Sequence, residues 1–93
     1  MYAWMTARRI RPGTMEQFKN AWEVHREHVP GLISVYYMQD ARDPNRMIGL
    51  AIWTNEDAFD RYAATIDEAR RKEAMNPYVE DIEWQRFFQV AEY

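Results

Sequence analysis

Apolar positions along this chain repeat with a period of two in four places and with a period of three to four between them. Residues 2–11 place Tyr2, Trp4, Thr6, Arg8 and Ile10 on one parity and Ala3, Met5, Ala7, Arg9 and Arg11 on the other, which predicts a strand. Pro12-Gly13 stops it. Thr14 with Gln17 three positions later forms a capping box. Met15, Phe18, Trp22, His25 and Val29 follow at helical spacing, so a helix is predicted from there to Pro30-Gly31. "LISVYYMQ" reads as a second strand, "DARDPNR" as a hairpin loop and "RMIGLAIW" as the third strand, antiparallel to the second. Asn55 caps a second helix whose start carries Glu56 and Asp57, favourable to its dipole, with Phe59, Tyr62, Ala63 and Ile66 as the inward stripe. "DEARRKEAM", residues 67–75, has high helix propensity and either continues that helix or forms another after a break, and Asn76-Pro77 ends it. "DIEWQRFFQVAEY" closes the chain as a fourth strand with Ile82, Trp84, Arg86, Phe88 and Val90 on one face.

The order βαββαβ predicts one ferredoxin-like α+β domain over residues 1–93, an antiparallel sheet with its helices on one face. The third strand is apolar on both parities. Ile48, Leu50 and Ile52 are expected beneath the helices, which leaves Met47, Gly49, Ala51 and Trp53 on the far side. Small residues let a second sheet approach closely, so this reading predicts a homodimer through the face that includes Gly49, Ala51 and Trp53.

Composition strengthens the need for a partner or a ligand. The chain is 47% hydrophobic and 15% aromatic, with four Trp and six Tyr, more bulk than a 93-residue core readily absorbs. A net charge of −3, with both signs dispersed, argues against a broad nucleic-acid footprint. An RNA-recognition module shares the element order but stacks bases on aromatics of its central strands, where Gly49 and Ala51 stand here. The absence of cysteine excludes disulfides, thiolate nucleophiles and Cys-ligated metals and fits a cytoplasmic protein. No run of 18 apolar residues offers a membrane span, and "MYAWMTARRIRPG" lacks the pattern of a secretory signal.

For chemistry, Thr6 on the first strand, Tyr62 on the second helix and Arg86 on the fourth strand are expected to converge in a pocket walled by Trp4 and Trp22, with Tyr37 and Phe59 as further contacts. Arg86 would steady an enolate and Tyr62 would donate a hydrogen bond to it. His25, on the apolar stripe, is the candidate base. His25 and His28 lack a third ligand, so no metal site is expected. The Arg70-Arg71-Lys72 run, flanked by Asp67, Glu68 and Glu73, reads as a solvated helical face. The bland alternatives for these residues are a satisfied core Tyr62, a structural ion pair at Arg86 and Trp side chains that serve core or interface.

"IRPGTMEQF" resembles the opening of the antibiotic biosynthesis monooxygenase family of dimeric α+β barrels, and "PGLISVYYMQDARDPNRMIGLAIWTNEDAF" is similar to its middle section. The resemblance covers residues 8–63 well and the C-terminal third loosely. It implies a sheet-paired dimer with a pocket between sheet and helices in each protomer. It also implies cofactor-independent oxygenation of an aromatic polyketide, quinol or anthrone, or a non-catalytic binding or structural dimer of the same fold. Haem-degrading members use an Asn, a Trp and a His at positions that fall here on Thr6, Tyr62 and near Lys72, so the resemblance disfavours haem degradation.

Overall fold

The computed structural model describes residues 1–24 and 26–91. Four strands, β1 (Tyr2–Ile10), β2 (Leu32–Gln39), β3 (Arg46–Trp53) and β4 (Val79–Gln89), form one sheet in the order β2-β3-β1-β4, every neighbour antiparallel. Helices α1 (Met15–Trp22), α2 (Glu56–Ala63) and α3 (Ile66–Met75) fill the two crossovers. This is the ferredoxin-like α+β arrangement that the periodicities predict.

The helices lie on one face. Phe18 and Trp22 of α1 pack with Ile10, Met47 and Met75, while Ala58, Phe59 and Tyr62 of α2 pack with Tyr2, Leu32 and Trp53. In register, Tyr2 pairs with Trp53, Trp4 with Ala51, Thr6 with Gly49 and Arg8 with Met47, so these eight residues share that face.

The two faces of β3 are therefore the reverse of the expectation. Met47 (0% exposed), Ala51 and Trp53 (1%) lie beneath the protomer's own helices, and Ile48, Leu50 and Ile52 lie on the open side. The cause is Trp22. A Cβ built on Gly49 would sit 3.0–3.2 Å from its indole, so the small residues accommodate an aromatic ring from α1. Gly49, Ala51 and Trp53 cannot then form an inter-protomer surface. The open face carries Met5, Tyr36, Met38, Ile48, Leu50, Ile52, Trp84, Arg86 and Phe88 instead.

Helix boundaries differ where capping overrules periodicity. The Thr14 side chain makes no cap; its hydroxyl donates to the Arg11 carbonyl at 2.8 Å. Helix α1 stops at Trp22, and a single 3₁₀ turn, Arg26–His28, follows. Asn55 caps α2 as expected, accepting from the Ala58 N–H at 2.9 Å. Thr65 then accepts from the Glu68 N–H at 3.2 Å and restarts the chain as α3. That break resets the helical phase, so Ala63 and Ile66 are exposed and Glu68 faces inward. Gly31 has φ +83, and a Cβ there would lie 2.5 Å from that of Ala58, so the turn into β2 requires glycine.

Candidate functional site

The hydrophobic core is split in two. One cluster centres on Trp53 and Leu32, the other on Phe18 and Met47. Between them the sheet offers the row Tyr37–Gly49–Thr6–Gln85, in which the two central positions are small. Large side chains on both sides and small ones in the middle leave a gap, roofed by Trp22, Val24, Tyr62 and Arg71. The result is a partly open cavity of about 20 Å³, lined in its middle by Trp4, Thr6, Gly49, Ala51 and Trp53 and at one end by Arg8. Its space suits one water-sized atom. Val24, Tyr62 and Arg71 also line a wider cleft of about 670 Å³ outside it, between the segment after α1 and helices α2 and α3.

Three buried polar atoms around the inner cavity have no protein partner among the described residues: Trp4 Nε1, Thr6 Oγ1 and Trp53 Nε1. Two are obligate donors and the third donates or accepts. Leaving such a group unpaired costs about 1–3 kcal/mol each. All three belong to residues that line the inner cavity.

Beside them lies a buried charge cluster. Arg71 Nε donates to Glu68 Oε2 at 2.9 Å and its NH2 group to Oε1 at 3.1 Å, while NH1 donates to the Trp22 carbonyl at 2.6 Å. The same guanidinium lies 5.8 Å from the Trp22 ring centre, so one side chain fixes both the end of α1 and the indole over Gly49. Arg8 stacks over Phe18 at 5.8 Å. Burial draws the Arg8 guanidinium down to about 10, with Arg71 pushing the same way and Glu68 opposing. The Tyr62 hydroxyl is pushed up to about 12, first by burial and then by donating to Glu68. At neutral pH it is a neutral phenol and does not act as a base.

The sequence-derived residues divide cleanly. Trp4 and Thr6 line the inner cavity as expected, and Trp22 and Tyr62 wall it. Tyr37 meets Trp22 edge-on at 5.4 Å, and Phe59 packs 5.5 Å from Trp4 and 5.8 Å from Trp53, so both support the lining from behind. Arg86 is not in the pocket. It pairs with Met5 on the open side of the sheet, its guanidinium 4.9 Å from the Trp84 ring. The guanidiniums that do line the cavity are those of Arg8 and Arg71. His25 lies outside the described residues, while His28 lines the outer cleft. Lys72 is exposed on α3.

Sequence reasoning missed Arg8, Glu68 and Arg71 as site residues. Arg8 shares the parity of Trp4 and Thr6, which was its signal. Glu68 and Arg71 are not a solvated face: the Thr65 cap turns them inward, and "TIDE", a second capping box, was the legible sign.

The model of the antibiotic biosynthesis monooxygenase family matches residues 1–76. No curated protein matches the sequence. Among solved structures, one named for that family from Caulobacter crescentus CB15 superposes with a TM-score of 0.88 at 14% identity, covering 98% of this chain and 90% of that one. Another so named from Chloroflexus aurantiacus J-10-fl gives 0.86 at 15%, covering 99% and 95%. SnoaB, a cofactor-independent oxygenase from Streptomyces nogalater, gives 0.85 at 17%, covering 99% and 94%. Identities this low speak for the fold alone, whereas the family match spans most of the chain. A ferredoxin-like sheet with a pocket between its inner face and its helices, matched over that length, places this chain in the antibiotic biosynthesis monooxygenase family.

Proposed function

We propose that the chain is a cofactor-independent oxygenase of a small, electron-rich aromatic compound, a quinol or an anthrone-like phenol. The observation that carries this reading is that Trp4, Thr6 and Trp53, whose buried polar atoms have no protein partner among the described residues, all line the inner cavity. The ring lies in the outer cleft, with one phenolic oxygen directed inward past Val24 and Tyr62. Two indole N–H groups and the Thr6 hydroxyl donate to that oxygen, and the guanidinium of Arg71 lies in the same wall. Donors fixed in a dry site stabilise the phenolate or enolate better than the neutral phenol, which lowers the ligand's own pKa.

The resulting carbanion is electron-rich enough to reduce dioxygen. For an anthrone-type carbon, the CH2 group becomes C=O. One oxygen atom of O2 stays on carbon, the other leaves as water with the two hydrogens, and all four electrons come from the substrate. The protein's part is to orient the ring, exclude water and hold the anion. The name of the structurally similar SnoaB supports this class of chemistry.

Oxygen uptake with anthrones and quinols tests the reading. Uptake above the spontaneous rate is expected, and Thr6→Val should lower it about a hundredfold, the scale of losing one oxyanion donor. Uptake at only the spontaneous rate across the panel refutes catalysis.

We further propose that a second copy covers the open sheet face. Its central strands present Met5, Ile48, Leu50 and Ile52, an aliphatic strip flanked by Tyr36 and Phe88. Such a strip is expensive to leave in water. Light scattering should give twice the 11.3 kDa chain mass, and Leu50→Lys should return it to one. A wild-type mass of one chain would end the dimer proposal.

A further inference from the structure

Among the described residues, Val24, Tyr62 and Arg71 alone border both spaces of the pocket, the inner cavity of about 20 Å³ and the cleft of about 670 Å³ outside it. A ligand atom that leaves the cleft for the buried polar atoms of Trp4, Thr6 and Trp53 passes between these three side chains. What they admit therefore decides what the inner cavity can hold.

Two of the three are anchored by named partners. Arg71 is tied to both carboxylate oxygens of Glu68, at 2.9 and 3.1 Å, and to the Trp22 carbonyl at 2.6 Å. Tyr62 lies against Trp53, ring centres 5.5 Å apart. Val24 follows Trp22 by two residues, so the bond from Arg71 restrains the segment that carries it, and its side chain packs against the core cluster of Trp53 and Leu32. Val24 is the one member of the three without a polar side-chain group. It offers an entering ligand no hydrogen bond, only its volume, and a β-branched side chain has few rotamers with which to yield.

We propose that Val24 is a specificity-determining residue: it admits a phenolic oxygen whose neighbouring ring carbons carry hydrogen and rejects one flanked by a methyl or larger substituent. This rests on the reading of the pocket as an aromatic-substrate site and narrows its substrate class to phenols unsubstituted beside the reacting oxygen. The inner cavity suits one water-sized atom, so the oxygen enters alone and the ring edge that bears it stays level with the three side chains. A substituent beside the oxygen is then pressed against Val24, whereas one on the far side of the ring lies in the roomy cleft. A single methyl group in an apolar wall shifts binding by about tenfold or more.

The test uses 4-methyl-1-naphthol and 2-methyl-1-naphthol, isomers whose methyl lies far from the oxygen or beside it. Calorimetric titration of the unmodified protein should show the 4-methyl isomer binding at least about tenfold more tightly. Val24→Ala should bring the two affinities within about threefold by strengthening the 2-methyl isomer, and Val24→Ile should widen the gap. Val29→Ala is the matched control, because Val29 lines the outer cleft and not the inner cavity. It should leave the ratio of the two affinities as it is in the unmodified protein. Equal affinities in the unmodified protein, a ratio untouched by Val24→Ala, or one erased equally by Val29→Ala would each overturn the proposal. Oxygen uptake is measured separately with the same pair. A 4-methyl preference in binding without uptake removes the oxygenase reading alone, and uptake with equal affinity for both isomers removes this inference alone. Binding of neither isomer removes both.

Discussion

Replacing Glu68 with Gln keeps the side chain's shape and removes only its charge, so it isolates what the carboxylate does for the fold. In the native protein Glu68 holds Arg71 through two bonds of 2.9 and 3.1 Å, raises the Tyr62 pKa, and is the carboxylate whose field reaches Arg8. The variant leaves Arg71 without its carboxylate and near enough to Arg8 for the two charges to repel. Removing one partner of a buried ion pair costs about 3–5 kcal/mol. For a domain of this size the whole folding free energy is about 5–14 kcal/mol. The melting temperature should fall by at least about 12 °C, at roughly 4–8 °C per kcal/mol. Urea unfolding followed by tryptophan fluorescence, at one fixed protomer concentration, measures it. The companion double variant Glu68→Gln/Arg71→Met removes both charges and should recover about 2 kcal/mol of the loss, a coupling typical of residues in direct contact. A Glu68→Gln protein within ~0.5 kcal/mol of wild type, or strictly additive single and double variants, would refute the buried-network argument.

Four further outcomes follow from the same contacts. Arg8→Met removes a buried guanidinium that bonds to no carboxylate among the described residues and should leave stability equal to or above wild type by about 1–2 kcal/mol in urea, because an apolar side chain there replaces a buried charge; a loss beyond ~1 kcal/mol contradicts that argument. Gly49→Ala places a methyl 3.0 Å from the Trp22 indole, so it should destabilise by about 1–3 kcal/mol and shift the tryptophan emission, whereas unchanged emission would mean the ring does not sit there. Gly31→Ala meets a positive φ and a 2.5 Å clash with Ala58; a loss above ~2 kcal/mol in thermal melts is expected, and a neutral result would show that the turn can be rebuilt. Tyr62 holds its proton up to about 12 when folded, against 10.0 ordinarily. Its contribution to stability is therefore complete below pH 10 and is lost between 10 and 12 as the unfolded chain ionises first. A spectrophotometric titration of wild type against Tyr62→Phe should show the missing phenol as a late-titrating one, and a midpoint near 10 would show that the phenol is not buried as described.

The fold was legible because its signals are local and redundant. Alternation in residues 2–10, the Asp-Pro-Asn hairpin, the Asn55 cap and the Asn76-Pro77 stop each point to the same βαββαβ order, and Asn55 caps as its type dictates. The exchange of the two faces of β3 has a different origin. A small residue announces that something large comes close, but not from which side. From sequence alone Gly49 and Ala51 read as room for another sheet, whereas the large object is the Trp22 indole of the same chain. Pairing settles the ambiguity: Thr6 lies opposite Gly49, so the face that carries Trp4 and Thr6 must also carry Gly49 and Ala51. That constraint is non-local and becomes visible only when register is known.

The site was half legible for a related reason. Trp4, Thr6, Trp22 and Tyr62 are found by strand parity and helix stripe, since each lies on an element whose phase is unbroken. Arg86 was misplaced because β4 belongs to an edge pairing with two register shifts, and its polar parity gives no hint of which side is covered. Arg71 and Glu68 were hidden by composition, since "DEARRKEAM" is what a solvated helix looks like. What brings them inside is one hydroxyl, that of Thr65, whose bond to the Glu68 N–H starts α3 on a new phase. Placing the acid at the third position of that helix then puts Arg71 one turn further along the same inward face, where it can reach both Glu68 and the end of α1. The charge of the pocket thus depends on a helix cap, and Thr65→Ala should disturb the site as well as the helix. Losing the cap costs about 1 kcal/mol by itself. If the phase of α3 is set by it, Arg71 also loses its hold on the end of α1 and on the Trp22 ring, so the variant should shift the tryptophan emission as well as lower stability. Unchanged emission would show that tertiary packing, and not the cap, holds Glu68 and Arg71 inward.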